Sequence, residues 1–210
     1  MIKVLIADDH PIVRQGLRQI LSATADMVVA GEAVNGQEAL DQARVGGWDV
    51  LVLDITMPGR SGFDILKELK YEQPNLPVLV LSIHAEEQLA VRVLKAGAAG
   101  YVTKENAPNE LVRAIRKVVS GGRYVSPGLA ESLAFGLDAT SDQPRHATLS
   151  DREFQVMQLM ASGKTLMEIA EVLSLSAKTV STYRTRLLEK LNLKTNAELM
   201  RYAIDNRLIE

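Results

Sequence analysis

Three carboxylates and one amine stand at the ends of apolar runs. Asp8 and Asp9 close Ile2-Lys3-Val4-Leu5-Ile6-Ala7, Asp54 closes Val50-Leu51-Val52-Leu53, and Lys104 follows Gly100-Tyr101-Val102-Thr103. Clustered carboxylates repel one another unless a divalent cation relieves the repulsion, and an all-oxygen donor set suits magnesium, which keeps several waters and needs few protein ligands. Bound to two carboxylates and a backbone carbonyl, such an ion can hold a phosphate oxygen during in-line transfer, with a lysine screening the other side of the product. The residue types and their placement therefore point to phosphoryl chemistry. Taken singly, each has a plainer use: an Asp at a strand end caps a helix or starts a turn, Ser82 can cap, Tyr101 can pack, and Lys104 can sit in solvent. Their joint placement is what favours a site.

These residues meet only if the runs that carry them are neighbouring strands. Short β-branched runs at Ile2 to Ala7, Met27 to Ala33, Val50 to Leu53, Val78 to Leu81 and Gly100 to Thr103 read as strands. Between and after them, helical spacing of apolar residues marks Ile12 to Leu21, Gln37 to Arg44, Gly62 to Leu69, Glu87 to Ala96 and Glu110 to Val119. Strict alternation predicts an α/β fold, a five-stranded doubly wound parallel sheet of the flavodoxin-like kind. In such a sheet the carboxyl ends of the strands surround one crevice, where Asp8, Asp9, Asp54, Ser82 and Lys104 converge. Punctuation agrees. Pro11 fits a first helical turn, Asn35 with Glu38 fits a cap, and the pairs Gly46-Gly47 and Gly121-Gly122 fit helix ends.

The pattern degrades after Gly122. A short helix is expected near Leu129 to Leu133, followed by the polar tract Asp138 to His146, which contains Pro144 and reads as a linker. The predicted division is residues 1–122, linker 123–146, and 147–210. Helical signals resume at Ser150, where Ser150-Asp-Arg-Glu153 offers a capping box. Helices are expected at Asp151 to Ala161, Met167 to Val172, Ala177 to Leu191 and Ala197 to Asn206, giving a small all-α four-helix unit. Two short helices followed by a longer one across the turn Leu175-Ser176 suggest a helix-turn-helix.

Composition narrows the function classes. The chain has 210 residues and no cysteine, which excludes thiol catalysis, disulfides and thiolate zinc sites. Its start reaches acid too early for a signal peptide, and no apolar run approaches the roughly 18 residues of a membrane span, so a cytoplasmic location is expected. Charge is uneven. Through Pro144 there are 14 Lys plus Arg against 18 Asp plus Glu, and from Arg145 onward 10 against 8. Between Lys178 and Lys194 five basic residues, Lys178, Arg184, Arg186, Lys190 and Lys194, stand against Glu189 alone. Val180, Leu187 and Leu191 form an inward stripe, leaving Lys178, Ser181, Thr182 and Thr185 outward, the arrangement of a helix that neutralises phosphates and reads base edges. His10 lies beside the acidic pair, His84 near the crevice entrance and His146 in the linker. With no partners at metal-ligand spacing, all three read as surface residues.

At Asp8-Asp9, Asp54 with Met57-Pro58-Gly59 behind it, Ser82, Ala98-Ala99-Gly100-Tyr101 and Lys104, the chain resembles the CheY-like receiver domain of two-component response regulators. The resemblance implies that Asp54 is the phosphoacceptor and Asp9 a direct Mg2+ ligand, with Asp8 acting mainly through water and Thr56 lending its backbone carbonyl. Ser82 would bond the phosphoryl group, in a place where Thr is equally familiar, and Tyr101 would reorient when Ser82 moves.

From Ala147 to Glu210, the tail resembles the LuxR-type helix-turn-helix of NarL/FixJ response regulators. The carrying residues are Leu149-Ser-Asp-Arg-Glu153, Glu168-Ile169-Ala170, Leu173, Ser176, Lys178-Thr179-Val180 and Glu189-Lys190-Leu191. This likeness implies DNA contacts from Lys178, Thr179, Ser181, Thr182 and Arg186. Tyr183 departs from a frequent His, and Leu166-Met167 replaces a commonly polar pair. The partners implied are a sensor histidine kinase, double-stranded promoter DNA, a second copy of the chain when phosphorylated, and RNA polymerase. The role implied is a transcriptional regulator and not an enzyme, with at most slow self-dephosphorylation. Three rival readings are a dehalogenase-like phosphatase, a receiver that only dimerises, and a tail that binds protein. The first needs a carboxylate two residues after the nucleophile, where Asp54-Ile55-Thr56 offers a hydroxyl. The intact acidic cluster argues against the second, and the third predicts no steep salt dependence of duplex binding.

Overall fold

The computed structural model describes residues 1–57, 60, 62–82, 87–127, 129–130, 144–173, 175–206 and 208–209. Two compact units divide the chain, Met1–Leu133 and Ala134–Glu210. In the first, β1 (Ile2–Ala7), α1 (Pro11–Ser22), β2 (Met27–Ala33), α2 (Gly36–Val45), β3 (Val50–Asp54), α3 (Gly62–Glu72), β4 (Val78–Ser82), α4 (Glu87–Lys95), β5 (Gly100–Thr103) and α5 (Ala107–Val119) alternate as the periodicity predicts. All strand pairs are parallel, in the order β2-β1-β3-β4-β5. The strand order reverses between β1 and β3, which opens the crevice at their carboxyl ends.

The central strands are fully buried, as continuous apolar runs require when helices cover both faces. On one face Val4, Ile6, Val52 and Leu81 pack against Leu17 and Leu21 of α1 and Leu111, Ile115 and Val118 of α5. Two strands run one residue beyond expectation. The β3 and β4 ladders continue to the pairs Asp54 with Leu81 and Ser82 with Thr103, so the polar end residues belong to the sheet and are rigidly placed. Helix α5 starts at Ala107, three residues before the apolar spacing alone suggested. Pro108 is tolerated in its first turn, where the missing N–H costs nothing, and Ala107 is buried.

Tyr124, two residues after Gly122, packs onto the sheet where composition indicates only a connection. Tyr124 is buried and lies along β5: its N–H donates to the Ala99 carbonyl at 3.0 Å and its own carbonyl accepts from the Tyr101 N–H at 3.0 Å. Arg113 Nη2 donates to Tyr124 Oη at 2.8 Å. Gly100 permits this approach, because a Cβ there would stand 2.8 Å from the Tyr124 carbonyl oxygen. Leu129 and Ala130 are helical, while the rest of the short helix expected near Leu133, most of the polar tract, Pro58-Gly59 and His84 lie outside the described residues.

In the second unit, α6 (Asp151–Ala161), α7 (Leu166–Val172), α8 (Ala177–Leu191) and α9 (Asn196–Asp205) close on Phe154, Met157, Ile169, Val180, Leu187, Leu191, Leu199 and Ala203. The capping box at Ser150 and Glu153 forms as read, and Asn35 accepts from the Glu38 N–H at the start of α2. Two further boxes, Thr165 with Glu168 and Thr195 with Glu198, set the starts of α7 and α9. One expectation is corrected here. His146 is not a surface residue but 1% exposed. A 3-10 turn over Arg145–Thr148 folds it inward, its Nδ1 lying 2.8 Å from Tyr202 Oη with the rings edge to face.

Candidate functional site

Asp8, Asp54 and Ser82 are fully buried at the carboxyl ends of β1, β3 and β4. Parallel registers bring these ends side by side, so residues 46 positions apart in sequence face the same space. Lys104, just past β5, reaches across it. Its Nζ lies 2.7 Å from Asp54 Oδ2, as a well-aligned hydrogen bond, and 2.7 Å from Asp8 Oδ2, as an ion pair without that alignment. Its backbone N–H donates to the Ser82 carbonyl at 2.7 Å, which fixes where the side chain begins. Burial disfavours the Lys104 ammonium, but the charges of Asp54 and Asp8 and the hydrogen bond to Asp54 outweigh it and raise its pKa above the ordinary lysine value.

The other Asp54 oxygen is held locally. Oδ1 accepts from the Thr56 N–H at 2.9 Å and from the Thr56 hydroxyl at 2.7 Å. Gly62 sits directly behind this turn, where a Cβ would collide with the Ile55 backbone. Asp9 is the outer acid, its side chain 26% exposed. Asp8, Asp9, His10 and Asp54 each offer a ligand atom within 4.8 Å of the others. Asp8 Oδ2 and Asp9 Oδ1 are buried, with Lys104 Nζ and His10 Nδ1 as their close neighbours. Carboxylate oxygens held this close together suit a hard divalent cation.

The structure thus brings Asp8, Asp9, Asp54 and Lys104 into one pocket, with Thr56 against Asp54 and Ser82 at the adjoining strand end. Tyr101 is buried on β5. Three contacts were not legible in the sequence. The Thr56 hydroxyl bonds the Asp54 carboxylate, Arg14 Nη1 donates to the Asp8 carbonyl at 2.8 Å, and His10 Nδ1 lies 2.9 Å from Asp9 Oδ1 and 3.3 Å from Asp8 Oδ1. His10 is thus a surface residue, as read, whose half-exposed ring also borders the acidic cluster. Adjacency in sequence was the available signal for His10, whereas Arg14 gave none.

On α8 the inward stripe is as read, with Val180, Leu187 and Leu191 fully buried. Lys178, Ser181, Thr182, Thr185 and Arg186 are exposed, and Thr179 is half-buried because it joins the Ser176 cap. Glu153 fixes the helix from beneath. It accepts from Lys190 Nζ at 2.6 Å and from the Ser150 N–H at 2.7 Å. Burial alone would raise the Glu153 pKa, but Lys190 and the Ser150 donors outweigh that and leave it below the ordinary glutamate value.

A parallel sheet with an acidic crevice and a lysine opposite, followed by a helical unit with a capped, basic, outward-facing helix, defines a receiver joined to a LuxR-type domain. The family described as "Response regulator receiver domain" matches residues 4–116, and that described as "Bacterial regulatory proteins, luxR family" matches residues 147–203. The response regulator UvrY of Escherichia coli K12 is 39% identical over 209 residues, covering 99% of this chain and 96% of its own length. The response regulator GacA of Pseudomonas aeruginosa is 38% identical over 215 residues, covering 100% of this chain and 99% of its own. Among solved structures, RcsB from Salmonella enterica serovar Typhimurium, bound to the promoter rprA in the presence of the phosphomimetic BeF3-, superposes with a TM-score of 0.69 at 30% identity, covering 96% of this chain and 98% of that one. The chain belongs to the NarL/FixJ family of two-component response regulators, with a receiver and a LuxR-type DNA-binding domain that regulates transcription. Among the described residues, no helix is long and apolar enough to cross a membrane.

Proposed function

We propose that Asp54 accepts a phosphoryl group from the phosphohistidine of a sensor kinase and that the resulting acyl phosphate switches the LuxR-type domain on promoter DNA. The observation that carries this reading is a fully buried Asp54 whose carboxylate is shared between Lys104 and Thr56 in a pocket of three acids. An Asp54 oxygen attacks phosphorus, the phosphorus–nitrogen bond to the kinase imidazole breaks, and the imidazole leaves with a proton from solvent. Asp8, Asp9, Asp54 and the Thr56 backbone carbonyl would hold Mg2+, which when bound spreads the charge of the transferring phosphoryl oxygens. Lys104 moves its ammonium from carboxylate to phosphoryl oxygen, Ser82 donates its hydroxyl to the same group, and Tyr101 follows Ser82.

Transfer adds roughly -1.5 to -2 charges. Control of most of the population needs a bias of about 3 to 5 kcal/mol, within reach of several charge-assisted bonds. In this reading residues 1–122 are the switch, 123–146 the connection and 147–210 the output. The output pairs as a homodimer whose two α8 helices read inverted half-sites about one helical turn apart. Lys178 and Arg186 contact phosphates or bases. Thr179, Ser181 and Thr182 face the groove, Thr182 with its hydroxyl proton committed to the Lys178 carbonyl at 3.0 Å and its oxygen left to accept. RNA polymerase is the further partner and the cytoplasm the site of action. Water can hydrolyse the acyl phosphate slowly, without making the protein an enzyme. RcsB held on promoter DNA with a phosphomimetic supports this reading by likeness.

Incubation with acetyl phosphate and magnesium is expected to add one phosphoryl mass and to raise affinity for promoter DNA. Asp54→Asn should show neither. Gain of both by that variant would refute the route.

A further inference from the structure

We infer that Arg14 is a positioning residue for the cation, clamping the Asp8–Asp9 peptide through a bulge in β2. The inference rests on the reading of the pocket as a phosphoryl site. Asp8 and Asp9 must stay side by side although their charges repel, so the peptide between them needs a fixed plane. Arg14, 13% exposed, supplies it: Nη1 donates to the Asp8 carbonyl at 2.8 Å while Nε donates to Glu32 Oε2 at 3.2 Å. A guanidinium delivers such a two-ended contact rigidly, because its donors are fixed in one plane.

Glu32 is in place only because β2 carries an extra residue. Val4 pairs with Val29 but Leu5 with Gly31, leaving Ala30 unpaired, after which Ile6 pairs with Glu32. Ile6 points to the face covered by α1 and α5. In an unbroken register Glu32 would pair with Ala7 and point to the opposite face, away from Arg14. A bulge that re-aims one side chain beside a functional pocket is a recurrent device. The re-aimed residue is braced in turn. Arg18 also pairs with Glu32, Gln42 Nε2 donates to the Glu32 carbonyl at 2.5 Å, and Trp48 Nε1 donates to the Gln42 carbonyl at 2.7 Å. Partners one step removed from a metal typically shift its affinity about 10–100-fold when lost.

Calorimetric titration of the full chain with magnesium alone tests this. Arg14→Ala is expected to weaken binding about 10-fold or more, Arg14→Lys to recover only part of it, because an ammonium on the Asp8 carbonyl does not also span to Glu32, and Arg14→Ala with Glu32→Gln to be no weaker than Arg14→Ala. In acetyl phosphate assays the magnesium KM should rise by the same factor while kcat at saturating magnesium stays within about 2-fold, a split that general loosening of the fold would not produce. Fluorescence of Trp48, the only tryptophan, reports whether the brace is intact. A folded Arg14→Ala chain with wild-type magnesium affinity overturns the clamp alone. Wild-type chain that takes up no magnesium overturns the clamp and the phosphoryl reading together. If Arg14→Ala does not fold, Glu32→Gln decides: weaker magnesium binding supports the clamp and unchanged binding rejects it.

Discussion

The two units use charge in opposite ways. In the receiver, Asp8 and Asp54 are fully buried, and Lys104 is held between them with little exposure. In the LuxR-type unit, the residues proposed to meet DNA are exposed on α8 apart from the half-buried Thr179, and among the described residues the deeply buried charge, Glu153, serves to seat that helix. Buried charges are expensive unless paired, so the buried acids of the receiver depend on Lys104 for their place in the fold. Exposed charges cost little and wait for a partner. Function in the first unit is therefore tied to stability, and in the second largely separated from it.

Lys104→Ala is the largest test of that contrast. It leaves Asp8 and Asp54 buried without their ammonium partner, and a loss of about 3–5 kcal/mol is expected for the receiver in urea unfolding without divalent ions. Added magnesium should restore part of it, because the ion neutralises the same carboxylates. A loss no larger than that of a surface substitution would show that the buried acids do not depend on Lys104.

Lys190→Ala sharpens the comparison at intermediate size. Lys190 is 41% exposed while its partner Glu153 is 4% exposed, so solvent screens one half of the pair and the expected loss falls to about 1 kcal/mol. The same pair sets an acid limit. Glu153 titrates below its ordinary value of 4.5, so its contribution is complete above that pH and disappears as pH falls through the lowered value. Circular dichroism melts of the chain between about pH 5 and pH 3 should show this loss, and Glu153→Gln should flatten it.

Lys178→Ala is expected to change stability least, by under about 0.5 kcal/mol, since its side chain is exposed. Its effect belongs to DNA. The slope of log affinity against log salt should become shallower by about 0.9 for each phosphate contact removed. An unchanged slope with relaxed sequence preference would reassign Lys178 from phosphate to base.

The periodicity of apolar residues specified alternating strands and helices, and it did so because burial on both faces demands uninterrupted runs. The acids at Asp8, Asp9 and Asp54 were legible because strand ends are punctuated by abrupt polarity. Boundaries were less legible where caps decide them: Thr165 with Glu168 and Thr195 with Glu198 start helices that apolar spacing alone places one residue later. Residues after Gly122 read as a connection because Tyr124 lacks any periodic neighbour. Its burial on β5 depends on the groove that Gly100 leaves open.

What the amino-acid sequence determined by itself was the order of elements, the chemistry of the crevice and the basic helix, since these follow from local polarity and spacing. Only the tertiary structure decided that the Thr56 hydroxyl meets Asp54, that His10 joins the acids, that His146 is buried against Tyr202, and that a single unpaired Ala30 turns Glu32 toward Arg14. The Thr56 and His10 contacts belong to the turns after β3 and β1, whereas the burial of His146 depends on packing and the direction of Glu32 on strand register. A one-residue slip there reverses every side chain, and no local pattern in the sequence records it.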